Sequence, residues 1–144
     1  MKYAILDIDG CCLDINERLP YLLSGDYKTY MDLYRTDKPI KQGVHIYTML
    51  MKDPNINCVF VTARNDGIRE QTEEQLAMLF PGLDYALLMR PENCHELDAH
   101  IKLRLIKDYC GDYSNVFIAF DDRPAICEAY RNVGIVAYCT DEGY

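Results

Sequence analysis

Asp7 and Asp9 stand on either side of one isoleucine in "ILDIDGCCLD", residues 5–14, where an apolar run ends and a glycine follows. Residues two apart in an extended chain point to the same side, so both carboxylates face one small volume. Anions held that close require a cation, a proton or both, unless they form no more than an exposed acidic turn. More polar groups recur at the ends of other apolar runs. Thr62 closes "CVFVT" with Arg64 just behind it, and Asp121 and Asp122 follow "VFIAF". Lys102 lies between them in a helical stretch. Carboxylates that can hold a divalent cation, a hydroxyl donor and a lysine together suit a site that binds and transfers an anionic group.

The elements that must position these groups are short. Apolar runs at 3–8, 58–62, 85–89, 116–120 and 134–138 read as strands covered on both faces. Amphipathic stretches at 41–52, 66–80, 95–110 and 123–132 alternate with them. In the second stretch Ile68, Thr72, Leu76, Leu79 and Phe80 form a helical stripe that Pro81 and Gly82 stop, and in the third Leu97, Ile101, Leu105 and Tyr109 form another. The alternation predicts an α/β fold, a doubly wound (Rossmann-like) parallel sheet of about five strands. Ligands of such sheets bind beyond the carboxyl ends of the strands, where Asp7, Thr62 and Asp121 all fall. The segment 13–40 breaks the alternation. It is polar and tyrosine-rich, with breaks at Pro20, Gly25 and Pro39, and is expected to form a small helical cap insertion at the mouth of the site. Tyr21, Tyr27, Tyr30 and Tyr34 either pack this insertion on the body or stack on bases.

A length of 144 residues fits one domain with a real core, spanning 1–144. No apolar run approaches a membrane span, and "MKYAILDIDG" lacks the apolar core and cleavage site of a signal peptide. The seven cysteines have no CxxC or other metal-ligand spacing, so a reduced, cytoplasmic chain is expected. Cys58, Cys127 and Cys139 read as small core residues. Cys11 and Cys12 sit beside the carboxylate pair, where they either pack a turn or take part in chemistry. The net charge of -8 argues against sequence-blind binding along duplex DNA but leaves a nucleic-acid end or a single nucleotide open.

In chain order, the DxD at 7–9, Thr62, Lys102 and the pair Asp121/Asp122 strongly resemble the haloacid dehalogenase superfamily of phosphatases, over nearly the whole chain. The resemblance implies Asp7 as nucleophile, Asp9 as acid and base, and Thr62 and Lys102 as partners of the phosphoryl group. It implies Mg²⁺ held by Asp7, the Asp9 backbone carbonyl and Asp121/Asp122. Those roles make physical sense, because carboxylate attack on a phosphoryl anion needs positive charge to offset repulsion. More narrowly, "DIDGCCLDINER" and "AFDDRPAICEAYRNVGI" resemble the 3'-phosphatase domain of phage polynucleotide kinase/phosphatase enzymes. This implies Arg18, Arg64 and Asp98 as substrate-binding residues, with a nucleic-acid 3'-phosphate end or a nucleotide as substrate. Arg90 is a further candidate for the terminal phosphate.

Two of these positions have plainer readings. Arg18 can equally be a solvated loop charge, and Asp98, four residues before Lys102, can pair with it on one helix face. Cys11 stands where the family often has Thr, and no GxxxxGK[ST] loop is present, so a free-standing phosphatase is expected. A small-nucleotide or sugar-phosphate phosphatase is the alternative. A non-catalytic phosphate-binding relative is disfavoured by the presence of both Asp7 and Asp9. A signalling receiver domain has its acidic pair early and its phosphoacceptor after the third strand, which here ends "LLMRPEN".

Overall fold

The computed structural model describes residues 2–141 and places the first apolar run at the centre of a five-stranded sheet. β1 (Lys2–Leu6) lies between β4 (Ile56–Asn65) and β6 (Val116–Asp121), with β5 (Ala86–Arg90) and β7 (Ala137–Cys139) at the edges. Every pairing in this sheet is parallel. The strands are continuously apolar because both faces are covered. Ala4, Leu6, Cys58 and Phe60 face α3 (Lys41–Met51) and α4 (Arg69–Leu79) through Tyr47, Leu76 and the adjoining Phe80. The alternate residues Ile5, Val59 and Val61 face α5 (Asp98–Cys110) and α6 (Pro124–Asn132) through Ile106, Ile126 and Tyr130. This is the expected Rossmann-like α/β fold: Asp7 directly follows β1, Thr62 lies three residues before the end of β4 and Asp121 ends β6, so three neighbouring strands bring them to one edge of the sheet.

Two element starts and the burial of one cysteine differ notably from expectation. The last strand begins at Ala137 rather than at 134, because Gly134 at φ 88° turns the chain and the Ile135 amide donates to the Tyr130 carbonyl. Residues 134–136 therefore close α6. In α5 the helix starts at Asp98, so Leu97 stays outside it and is 69% exposed, and Tyr109 is half exposed. Its buried side is formed by Ile101, Lys102, Ile106 and Cys110, which puts the lysine on the core face. Cys139, expected in the core, is exposed at the end of the edge strand.

The segment 13–40 contains a two-residue antiparallel pairing of β2 (Leu13–Asp14) with β3 (Lys38–Pro39), enclosing α1 (Leu19–Ser24) and α2 (Tyr27–Asp32). Gly25 in a left-handed conformation ends α1, and the Asp26 side chain caps α2 by accepting from the Thr29 amide. Six-residue helices are marginal without tertiary support. Behind the insertion, α3 packs so close to the loop after β1 that a Cβ on Gly43 would lie 1.8 Å from the Cys11 carbonyl oxygen. All seven cysteines are free, and no helix among the described residues is long and apolar enough to cross a membrane.

Candidate active site

Asp7 follows β1 directly and is fixed through its backbone. Its amide donates to the Phe120 carbonyl at 3.1 Å, and its carbonyl accepts from the buried Tyr47 hydroxyl at 2.9 Å. The ammonium of Lys102, itself buried, donates to Asp7 Oδ1 at 3.0 Å and to Asp121 Oδ2 at 2.6 Å. The other Asp121 oxygen accepts the Arg123 amide at 3.1 Å. Asp121 is thus committed to Lys102, and it is Asp122 that joins Asp7 in a cluster of donor atoms, together with Cys11 Sγ, within 4.8 Å of one another. Gly10 permits this approach: it adopts φ 82°, and a Cβ there would lie 2.0 Å from Asp122 Oδ2.

Burial and then the Asp121 charge push the Asp7 carboxyl well above its ordinary value, with Lys102 offsetting part of the effect. Burial and Asp121 likewise push Asp122 up to about 6. Lys102 is held well above its ordinary value, because Asp7 and Asp121 outweigh the opposing effect of burial. Converging carboxylates that resist ionising together are a donor set suited to a hard divalent cation with oxygen ligands. The Cys11 thiol is pushed up by burial and by Asp7, so it contributes no thiolate.

Asp9 has different neighbours. Arg64 grips its carboxylate with two donors, Nε to Oδ2 at 3.0 Å and Nη2 to Oδ1 at 2.6 Å. The third nitrogen of Arg64 donates to Thr72 Oγ1 at 3.1 Å and Gln75 Oε1 at 2.6 Å. Arg18, fully buried, approaches Asp9 to 3.7 Å and makes its own two-pronged contact with Asp37 at 2.7 and 2.8 Å. Asp37 also accepts from Gln75 at 2.9 Å and from Arg64 at 3.4 Å. Burial would raise the Asp9 carboxyl, but Arg64 and then Arg18 outweigh it and hold the group below its ordinary value.

A cavity of about 600 Å³ opens over both halves, and Asp7, Asp9, Thr62, Arg64, Asp98, Lys102 and Asp122 line it. Thr62 is buried, and its hydroxyl accepts the Arg64 amide at 3.1 Å. Arg18 is no solvated loop charge. Asp98 does not pair with Lys102 but with Arg90 and Arg123, because Lys102 turns inward to Asp7 and Asp121. Arg90 is spent on this pair and on the carbonyls of Ala63, Cys94 and Glu96, which stitch the loop after β5 to α5, so it does not face the cavity. Sequence reasoning missed Tyr47, Asp37, Gln75 and Arg123. Gln75 left a signal, since it lies three residues after Thr72 on the buried stripe of α4, where a polar side chain needs a partner. Arg123 directly follows the acidic pair.

Fold and site together define a haloacid dehalogenase-like hydrolase. A protein of that class from Streptococcus pneumoniae superposes with a TM-score of 0.66 at 10% identity, over 96% of this chain and 84% of the other. Within that class the model of the polynucleotide kinase PNKP phosphatase domain matches residues 1–144, and the chain belongs to that family. A chain of the Pnkp1/Rnl/Hen1 complex superposes with a TM-score of 0.79 at 26% identity over 99% of this chain, and one of the Pnkp1/Rnl/Hen1 RNA repair complex with 0.80 at 25%. A protein of Autographa californica nuclear polyhedrosis virus, named as a bifunctional polynucleotide kinase/RNA ligase, is 30% identical over 77 residues, which are 54% of this chain. The chain spans 47% and 43% of the two structural relatives, and the match covers 11% of the viral protein.

Proposed function

We propose that this chain is a Mg²⁺-dependent phosphomonoesterase that removes 3'-phosphate from nucleic-acid ends or nucleotides through an aspartyl-phosphate on Asp7. One observation carries the chemistry: Asp7, pinned by the Phe120 carbonyl, Tyr47 and Lys102, faces the same cavity as an Asp9 held by arginines. Asp7 attacks phosphorus while the leaving alkoxide takes a proton from Asp9. Asp9 then takes a proton from the water that attacks the aspartyl-phosphate, which frees phosphate and restores Asp7. Lys102 and the Thr62 hydroxyl hold phosphoryl oxygens, and Lys102 offsets the charge of the nucleophile. Asp7, Asp122 and the Asp9 backbone carbonyl would hold Mg²⁺, which would supply charge neutralisation on the phosphoryl group. Asp121 stays with Lys102 as its orienting partner.

Held by Arg64 and Arg18 below its ordinary value, Asp9 is a carboxylate, which fits the second, base half of the cycle. The acid half belongs to the loaded site, where a phosphate dianion beside Asp9 raises its proton affinity and competes for Arg64 and Arg18. Family membership and the RNA repair assembly of the structural relatives support a nucleic-acid end as substrate. The test is a side-by-side assay of 3'-phosphate oligonucleotide, 5'-phosphate oligonucleotide, nucleoside monophosphates and sugar phosphates. The expected outcome is the highest kcat/KM on the 3'-phosphate, with only modest salt dependence because few phosphates are contacted. Equal efficiency on 5'-phosphates or sugar phosphates would leave a general phosphatase in place of this reading.

A further inference from the structure

The cavity has two chemically opposite sides. Its lining is ionic at Asp7, Asp9, Arg64 and Lys102, whereas the insertion contributes the apolar Leu22 and Met31 and the rings of Tyr27 and Tyr30, joined by Ile68 after β4. The four insertion tyrosines divide by task. Tyr34 is buried with its hydroxyl on Glu74, and Tyr30 lies over the Arg18 guanidinium at 4.3 Å from ring centre. Tyr21 does not line the cavity. Tyr27 does line it, is 61% exposed, and packs against no other aromatic ring among the described residues. A tyrosine that contributes so little to packing, set in the wall of the site, offers an open ring face to whatever enters.

We propose that Leu22, Tyr27, Met31 and Ile68 form the seat of the terminal nucleobase, which stacks on Tyr27 while its 3'-phosphate lies over Asp7. This rests on the phosphatase reading above and names the part of the substrate that the insertion recognises. The wall suits a flat, weakly hydrated group, because the four side chains carry one hydroxyl among them and no charge. A sugar phosphate would set its hydroxyls against apolar surface without partners. The four side chains of the seat carry no amide or carboxylate, so stacking on them is tolerant of base identity, as it is in single-strand binders, while Asn65 and Glu92 also line the cavity. The volume, about 600 Å³, lies in the range for one small-molecule-sized ligand. Five acidic side chains line the cavity against three basic ones, so a second phosphate gains no surplus of cations there. One terminal nucleotide is therefore recognised, and the rest of a strand runs outside.

The test compares a 3'-phosphate oligonucleotide with the same strand ending in an abasic 3'-phosphate, with wild type, Tyr27→Phe and Tyr27→Ala. Stacking strengths measured on other proteins convert to roughly a fivefold effect at the low end of their range and pass tenfold well below its upper end. The wild type is expected to prefer the base-bearing end by about tenfold, the difference lying in KM. Tyr27→Phe should keep that preference, and Tyr27→Ala should erase it. Equal wild-type efficiency on the two ends overturns the base seat while leaving the 3'-phosphatase reading standing, as does a Tyr27→Ala protein that keeps the preference. Turnover of sugar phosphates with neither 3'-end accepted would overturn both.

Discussion

The two aspartates of the DxD at 7–9 end in opposite electrostatic surroundings. Asp7 shares Lys102 with Asp121 and faces Asp122, so burial and like charge push its proton affinity up. Asp9, two residues on, is gripped by Arg64 and approached by Arg18, and its proton affinity is pulled down. The lesson is that spacing delivers two carboxylates to one place and tertiary partners then make them unlike. The Asp7 half lacks cationic charge, which a metal can supply. The Asp9 half matches its two carboxylates, Asp9 and Asp37, with two guanidiniums, Arg64 and Arg18, which orient one side chain.

The largest effect is expected at Asp7. Asp7→Asn should remove turnover on every substrate, by about 10⁴-fold or more, as loss of a nucleophile does. Circular dichroism and melting should show that the fold persists. Next comes Arg64→Ala, which strips two donors from Asp9 and leaves Asp37 short of a partner. Removing one member of a buried ionic group destabilises by about 3–5 kcal/mol, so chemical denaturation should register the loss. Arg64→Lys should recover only part of it, because a lysine cannot reproduce the two-pronged grip. Where the Arg64 variants still turn over, the acidic limb of the pH profile should move to higher pH, since the cation that lowers the Asp9 carboxyl is gone.

A third prediction concerns pH on the Asp7 side. Asp122 titrates near 6 in the folded chain against an ordinary value of 3.8, so between those values the folded state binds more protons than the unfolded one. Its stabilising contribution is present below that window and is lost as pH rises through it. Metal-free protein should therefore lose melting temperature from this group between the two values, and added Mg²⁺ should restore more at pH above 6 than below 4. A Mg²⁺ response independent of pH would contradict the cluster as the metal's seat. Smaller still, Tyr47→Phe removes the hydroxyl that satisfies the Asp7 carbonyl, a loss of about 1–3 kcal/mol in stability. Cys11→Ala should leave activity within about tenfold, because its buried, protonated thiol lies 3.8 Å from Asp7 Oδ2, at the reach of a weak contact.

Much of the frame was legible because the chemistry-bearing residues stand at the ends of apolar runs, and a parallel sheet converges such ends on one edge. Asp7, Thr62 and Asp121 could be placed together on that rule alone, whereas Lys102, inside a helical stretch, joined them only through the family resemblance. What the sequence hid were partners set by packing between distant elements. Tyr47 lies forty positions from Asp7, and nothing in the α3 pattern marks its hydroxyl as the group under the nucleophile. The expected Asp98–Lys102 pair follows from helical spacing, yet the pull of two buried carboxylates on Lys102 overrides it, and Asp98 takes Arg90 and Arg123 instead. Arg18 reads equally as a substrate contact or a loop charge until the fold of the insertion closes Asp37 and Tyr30 around it. The phase of α5 was misplaced because Leu97, counted as the first residue of its stripe, precedes the helix.

The division of labour between Asp7 and Asp9 is tested most directly by leaving-group dependence. Asp7→Asn, Asp9→Asn and wild type are assayed on an activated aryl phosphate, whose leaving group departs without a proton, and on a nucleoside 3'-phosphate, whose alkoxide requires one. The account predicts that Asp7→Asn is inactive on both, whereas Asp9→Asn loses far more on the nucleoside than on the aryl phosphate, by about 10²-fold or more, as expected for loss of general acid catalysis. Equal losses on the two substrates in Asp9→Asn, or substantial turnover by Asp7→Asn, would contradict it.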